Sequence, residues 1–170
     1  MNDIILKYSY SPGFYGEFIC KDLLISQTFE TQLKFFWYFD PGYFPDNDEE
    51  RRQQRRLTTI KDKLPEALQI IFEKIQKSDI RVIVPIETKT DKVEYTTSVH
   101  DSNEYYKMNI QNEEKHINIP YHFSDALIEG KDVELFFDFH TKLKSWIDEE
   151  FEIVSEGKAV KLNIGNNGSS

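Results

Sequence analysis

Cysteine is almost missing from this chain: Cys20 stands alone among 170 residues. One thiol excludes an intrachain disulfide and leaves nothing to mark an oxidising compartment. Cys20 lies in an apolar–polar alternation, Phe18 and Cys20 against Ile19 and Lys21, which predicts a packed thiol rather than a nucleophile. Long hydrophobic runs are lacking too. The first residues, Met-Asn-Asp-Ile-Ile-Leu-Lys-Tyr, carry no basic segment ahead of an apolar one. No signal peptide and no transmembrane span are expected, which makes a cytoplasmic protein the default. The seven glycines are scattered, none with the spacing of a phosphate-cradling loop. Neither a Gly-x-Ser-x-Gly elbow nor a Cys-x-x-Cys pair occurs. Nucleotide-binding and hydrolase folds that depend on those signatures lose their support.

Charge of one sign is in short supply. Against 30 acidic residues stand 21 basic ones, for a formal net charge of −9. Such a field repels nucleic-acid backbones and anionic membranes and steers basic partners inward. The excess is uneven, with a local run Asp148-Glu149-Glu150-Phe151-Glu152 near the end. The main basic cluster, Arg51-Arg52 and Arg55-Arg56, follows directly on Asp46-Asn47-Asp48-Glu49-Glu50. Acids before and bases after suit a helix dipole, with Asp46 or Asn47 as N-cap. Read as one helix, that cluster sets like charges at i,i+4, so partnering by nearby carboxylates is expected over nucleic-acid contact.

What the chain does have is aromatic side chains. Leu33-Lys34-Phe35-Phe36-Trp37-Tyr38-Phe39 puts Leu33, Phe35, Trp37 and Phe39 on one face of a strand, with Phe36 and Tyr38 on the other. That pattern predicts a central strand covered on both sides. Asp40-Pro41-Gly42 then signals a turn, with Gly42 free to take positive φ. Upstream, strands are expected at 4–10, 14–21 and 23–29, in an antiparallel meander. Downstream, Ile60, Leu64, Ala67, Leu68, Ile71, Phe72 and Ile75 fall on one helical stripe, kinked or broken at Pro65. Strands follow at 80–86 and 93–99, then a hairpin pairing Tyr106, Met108 and Ile110 with Ile117, Ile119 and Tyr121 across Asn112-Glu113-Glu114. Ser124 or Asp125 opens a short helical turn ending near Gly130. From Asp132 the spacing of Leu135, Phe136, Phe139, Leu143, Trp146, Ile147 and Phe151 predicts a helix, although 133–139 alone also fits a strand. The sum is an α+β fold: a largely antiparallel sheet of about six to eight strands, strand 33–39 central, packed against two or three amphipathic helices. It forms one domain over 1–162, with a Gly/Ser/Asn-rich flexible tail at 163–170.

No catalytic, cofactor-binding or metal-ligating set is assigned. His100, His116 and His122, with nearby carboxylates, could serve a metal-dependent or acid–base enzyme only if three ligands converged. Tyr43 and Phe44, beside Arg51 and Arg52, form a plausible partner-binding edge, since Tyr, Trp and Arg dominate interface hot spots. A third possibility is a subunit that self-associates through the aromatic strand; the oligomeric state is left open.

In its small size, acidity, aromatic content and lack of catalytic motifs and export signal, the chain resembles the immunity proteins that protect bacteria from their own antibacterial or polymorphic toxins. The resemblance spans the whole chain and rests on general character, so no functional residue is carried over. It implies a non-catalytic cytoplasmic inhibitor of a cognate, basic toxin domain. Asp148, Glu149, Glu150 and Glu152 would then be the natural contact.

Overall fold

The structure, a computed structural model, describes residues 3–12, 19–40, 42, 46–83, 103–119 and 128–160. In chain order the elements are β1 (Ile4–Ser11), β2 (Cys20–Ser26), β3 (Glu30–Tyr38), α1 (Asp48–Gln53), β4 (Arg55–Lys63), α2 (Glu66–Ile75), β5 (Arg81–Val82), β6 (Asn103–Ile110), β7 (Glu113–Ile119), β8 (Ile128–Glu129) and α3 (Val133–Ser155). The fold is α+β. Six strands form one sheet in the order β4-β3-β2-β1-β6-β7, and β5 pairs with β8 in a small second sheet. Every pairing is antiparallel.

The first four strands of the large sheet form the expected meander, built from different segments. A single strand, β2, spans the junction of the two that the alternation suggested, and 13–18 lie outside the described residues. The fourth strand is β4, where the sequence pattern reads helix. Pro65 excludes helical geometry at Leu64 before it, and Thr58, Thr59 and Ile60 are β-branched residues that suit a pleated surface. The apolar stripe that ran from Ile60 therefore divides. Ile60 faces Leu33 across the ladder, while Leu68, Phe72 and Ile75 form the buried face of α2, which starts at Glu66 directly after Pro65. The Arg cluster is divided in the same way: Arg51 and Arg52 lie on α1, Arg55 and Arg56 on β4. Asn47 caps α1, its side chain accepting the Glu50 N–H at 2.8 Å.

The aromatic strand is interior but not central, since β2 and β1 occupy the middle of the sheet. It is also covered on one side only. Thr31, Leu33, Phe35 and Trp37 are buried, whereas Lys34 is exposed and Phe36 keeps 38% of its surface in solvent. The helices account for this. Phe151 of α3 packs against Phe35 and Trp37 (centroids 5.1 and 5.9 Å), Phe136 against Tyr106 (5.4 Å), and Phe72 of α2 stacks on Phe139 (5.5 Å). Both helices thus serve the same face, and among the described residues no helix covers the opposite face of the sheet.

Turns follow residue chemistry. Gly42 has φ +83° and its N–H is held by the Asp40 carboxylate at 2.8 Å. The β6–β7 hairpin turns at Gln111 and Asn112, both at positive φ, one residue earlier than the sequence suggested, and it pairs Tyr106 with Ile117. Gly130, at φ +133°, admits no side chain, because a Cβ there would lie 1.9 Å from the Asp79 carbonyl oxygen. The segment 133–139 is helical, as the longer stripe predicts. The expected strand 93–99 and the tail 163–170 lie outside the described residues, as do 84–86 of the expected strand 80–86 and 124–127 of the expected helical turn. The end of that turn is not helical, since Ile128–Glu129 pairs with β5 as strand β8. No described helix is long and apolar enough to cross a membrane.

The two faces of β3 make a direct test. Trp37→Ala is expected to cost on the order of 3–5 kcal/mol, and Phe36→Ala, on the open face, less than about 1 kcal/mol. Urea denaturation of both variants measures the difference; equal losses would mean that both faces are covered.

Candidate functional site

Of the residues singled out for chemistry, α3 carries the acidic run Asp148, Glu149, Glu150 and Glu152. Its apolar stripe buries Phe136, Phe139, Leu143, Ile147 and Phe151, and places His140, fully buried, within the same face. A buried imidazole needs partners, and the sheet supplies them. The β1–β6 register sets Tyr8 against Tyr106 and Tyr10 against Glu104. The Tyr106 hydroxyl lies 2.7 Å from His140 Nδ1, and His140 Nε2 lies 3.4 Å from Glu104 Oε2. Tyr8 donates to the same carboxylate oxygen at 3.0 Å, and Lys144 Nζ donates to Oε1 at 2.8 Å. The arrangement is self-consistent with a neutral ring whose Nε2–H faces Glu104 and whose Nδ1 accepts the Tyr106 hydroxyl proton.

Burial decides the protonation states. It holds both tyrosine hydroxyls well above their usual range, reinforced at Tyr8 by Tyr106 and Glu104 and at Tyr106 by Glu104. Burial also lowers His140, opposed by the Glu104 charge and aided by Lys144. These groups close on one another: Tyr8 is 1% exposed and Tyr106 and His140 not at all. Their evident work is to seat α3 on the sheet.

Next along the helix, Asp148 pairs with Lys21 of β2 at 2.5 Å. Lys21 is nearly buried, and its ammonium lies 5.3 Å from the centre of the Tyr10 ring, with Lys144 at 5.4 Å from the same ring. Asp148, half-exposed itself, is therefore tied to the sheet through Lys21. Glu149 and Glu152 are exposed, Glu150 is half-buried, and Ile153 stands among them 71% exposed. Glu149 accepts the Ser145 hydroxyl at 3.3 Å.

Of the remaining proposed residues, Arg51 and Arg52 are exposed on α1, Arg51 lying 3.6 Å from Asp48; Tyr43 and Phe44 lie outside the described residues. So do His100 and His122. His116 sits on the open face of β7, 2.9 Å from Glu114, while Lys107 reaches that carboxylate at 2.8 Å. Hydrogen bonds from Lys107 and His116 hold Glu114 below the usual carboxylate range. Among the described residues no group of three His, Cys, Asp or Glu side chains is placed to hold a metal. Cys20 is half-buried at the open face, its thiol pushed up by burial and by Asp22. A cavity of about 300 Å³ at one end of that face is lined by Ile4, Ile5, Leu24, Met108, Lys7 and Lys107 among others, and by none of the proposed site residues.

Sequence reasoning missed the Glu104–His140–Lys144 network. A signal was present: His140 falls on the apolar stripe, and Lys144 follows one turn later. The acid that answers them lies 36 residues upstream of His140, the separation from 104 to 140, and nothing local announces it.

The histidine sets a pH dependence. Folded His140 titrates below its ordinary 6.5, so the unfolded chain takes up the proton first as pH falls. That contribution to stability is complete above about pH 6.5 and declines below it. Glu104 and Tyr106 of β6, Tyr8 of β1 and Lys144 of α3 are the titratable groups around the ring. Between about pH 7 and about pH 5.5, the melting temperature of the wild type is expected to fall more steeply than that of His140→Gln. Parallel slopes would show that the ring does not titrate in this window.

No protein-family model matches this chain, and no curated protein or solved structure matches it either.

Proposed function

We propose that this protein is a non-catalytic binding module that acts as an immunity protein does, holding and inhibiting a cognate basic toxin domain through the outer face of the C-terminal half of α3. One observation supports this reading above the others. The last turns of α3 carry Asp148, Glu149, Glu150 and Glu152, with no basic residue in the final turn. A helix C-terminus already bears partial negative charge and favours cations, so Glu152, in the final turn, stands where the helix itself disfavours it, with three more carboxylates in the turns just before. Asp148 is answered by a nearly buried lysine, Lys21.

The same face exposes Ile153, one turn beyond Glu149. A basic surface with a shallow apolar socket would meet both features, relieving the crowded negative charge and covering the isoleucine. The net charge of −9 would speed the encounter by long-range attraction. In this reading Glu149, Glu150 and Glu152 make the ionic contacts, Ile153 is the apolar anchor, and Asp148 with Lys21 holds the helix in place.

The test is capture of the partner from the native host on the tagged full chain, followed by titration of the purified pair. A basic protein is expected, bound one to one, whose toxicity this chain suppresses and whose association slows with added salt. Changing Glu149, Glu150 and Glu152 together to Lys is expected to weaken that complex by well over tenfold, roughly 1.4 kcal/mol per decade, while shifting stability by less than about 1 kcal/mol. Undiminished affinity in the triple variant would remove this face from the interface. An acidic captured partner would sink the reading altogether.

A further inference from the structure

A separate surface, at the opposite charge, lies on the outer edge of β4. This strand pairs with β3 on one side only and ends the sheet. Its hydrogen-bond phase follows from the ladder's two ends. Phe39 N–H donates to the Gln54 carbonyl at 2.7 Å, and Leu64 N–H donates to the Phe29 carbonyl at 2.9 Å. Both bonds continue the unbroken register that pairs Tyr38 with Arg55 and Glu30 with Lys63. Bonded and non-bonded pairs alternate in an antiparallel ladder. Arg56, Thr58, Ile60 and Asp62 therefore exchange bonds with β3, and the backbone groups of Arg55, Leu57, Thr59, Lys61 and Lys63 point away from the sheet.

The chain closes both ends of that edge itself. The Arg56 guanidinium donates to the carbonyls of Gln53 and Arg55, and the Asp62 carboxylate accepts the Lys63 N–H at 2.7 Å. Between these closures the outward N–H and C=O of Leu57, Thr59 and Lys61 have no partner among the described residues. All three side chains are exposed, Leu57 by 72%, and Leu57 sits directly across from Phe36. Natural sheets blunt such an edge with bulges, prolines, short length or charged side chains. β4 runs nine residues with an unbroken register and no proline, and its protection is charge alone, from Arg55, Arg56, Lys61 and Lys63, which repels a like edge and leaves an acidic strand admitted.

Charge selects the occupant. From 51 to 63 the chain has six basic residues and one acidic, within a molecule of net charge −9. A second copy is disfavoured: antiparallel pairing of two β4 edges about Thr59 sets Arg55 against Lys63 and Leu57 against Lys61, and like charges directly opposite repel. The geometry points to β4 as a strand-addition site for an extended acidic segment of another protein. The segment pairs its backbone with Leu57, Thr59 and Lys61, lays an apolar side chain beside Leu57 and Phe36, and sets carboxylates near Lys61 and Lys63. This edge is independent of the α3 face proposed for the toxin.

The probe is a capped peptide as long as β4, of alternating Glu and Val, added to the isotope-labelled full chain under amide hydrogen exchange. In the free protein the amides of Leu57, Thr59 and Lys61 are expected to exchange fast, and those of Thr58 and Ile60 slowly. Saturating peptide should slow the first three by about tenfold or more and leave the others unchanged. The same peptide N-methylated on the residues that face β4 should lose binding, and Lys61→Glu with Lys63→Glu should weaken the unmodified peptide by about tenfold. Protection of Leu57, Thr59 and Lys61 before any peptide is added overturns the proposal, as the edge is then already covered by this chain or, if protection rises with protein concentration, by a second copy. Equal binding of the N-methylated peptide overturns it in favour of side-chain charge alone, and unchanged exchange at millimolar peptide overturns it outright.

Discussion

One helix organises this molecule. The 23 residues of α3 span about 34 Å at the usual rise, and its apolar stripe is the main cover for one face of the large sheet. Phe151 reaches the β3 aromatics at one end, and Phe136 and His140 reach β6 at the other. Those strands stand three places apart, about 14 Å at ordinary strand spacing, so the helix crosses the sheet obliquely and fastens four strands at once. Because α2 packs on the same side, against α3, no helix among the described residues covers the other face. The exposure of Phe36 follows from that placement, whereas the open edge of β4 follows from its terminal place in the strand order.

The polar groups beneath α3 fit the same constraint. A purely apolar seam would allow a helix to slide or rotate by a residue, whereas Glu104 is met from two elements, by Tyr8 of β1 and by His140 and Lys144 of α3. A buried carboxylate stripped of those partners would carry its full desolvation cost, so the network penalises any other register. Lys21 and Asp148 repeat the device one end further along. The acidic run is thereby presented outward at a defined angle, with Asp148 as the fastening and its neighbours as the surface.

The charge distribution separates two regions of opposite character. The C-terminal half of α3 gathers carboxylates, with Glu152 where the helix dipole disfavours it, and β4 gathers cations along an edge whose backbone is unsatisfied only in its middle. The outer faces of the two elements differ in how a partner would be recognised: side-chain charge around an exposed isoleucine in one case, backbone pairing in the other.

Much of this was legible locally. The alternation of β1, β3, β6 and β7, the helical stripes of α2 and α3, the Asn47 cap and the Gly42 turn all depend on neighbours within a few residues, and the sequence by itself determined them. The α+β class followed from their sum. Three matters were decided only in three dimensions. The stretch 55–63 has an ambiguous period, and its strand state came from pairing with β3, a partner 27 residues away at the Leu33–Ile60 pair of the ladder. The burial of Trp37 against the exposure of Phe36 depended on which face the helices chose, a choice that two aromatic residues in succession cannot encode. The fate of the acidic run depended on Lys21, and that of His140 on Glu104, residues far away in the chain. Periodicity and capping are short-range effects; facing, edge position and the pairing of buried charge are set when distant segments meet.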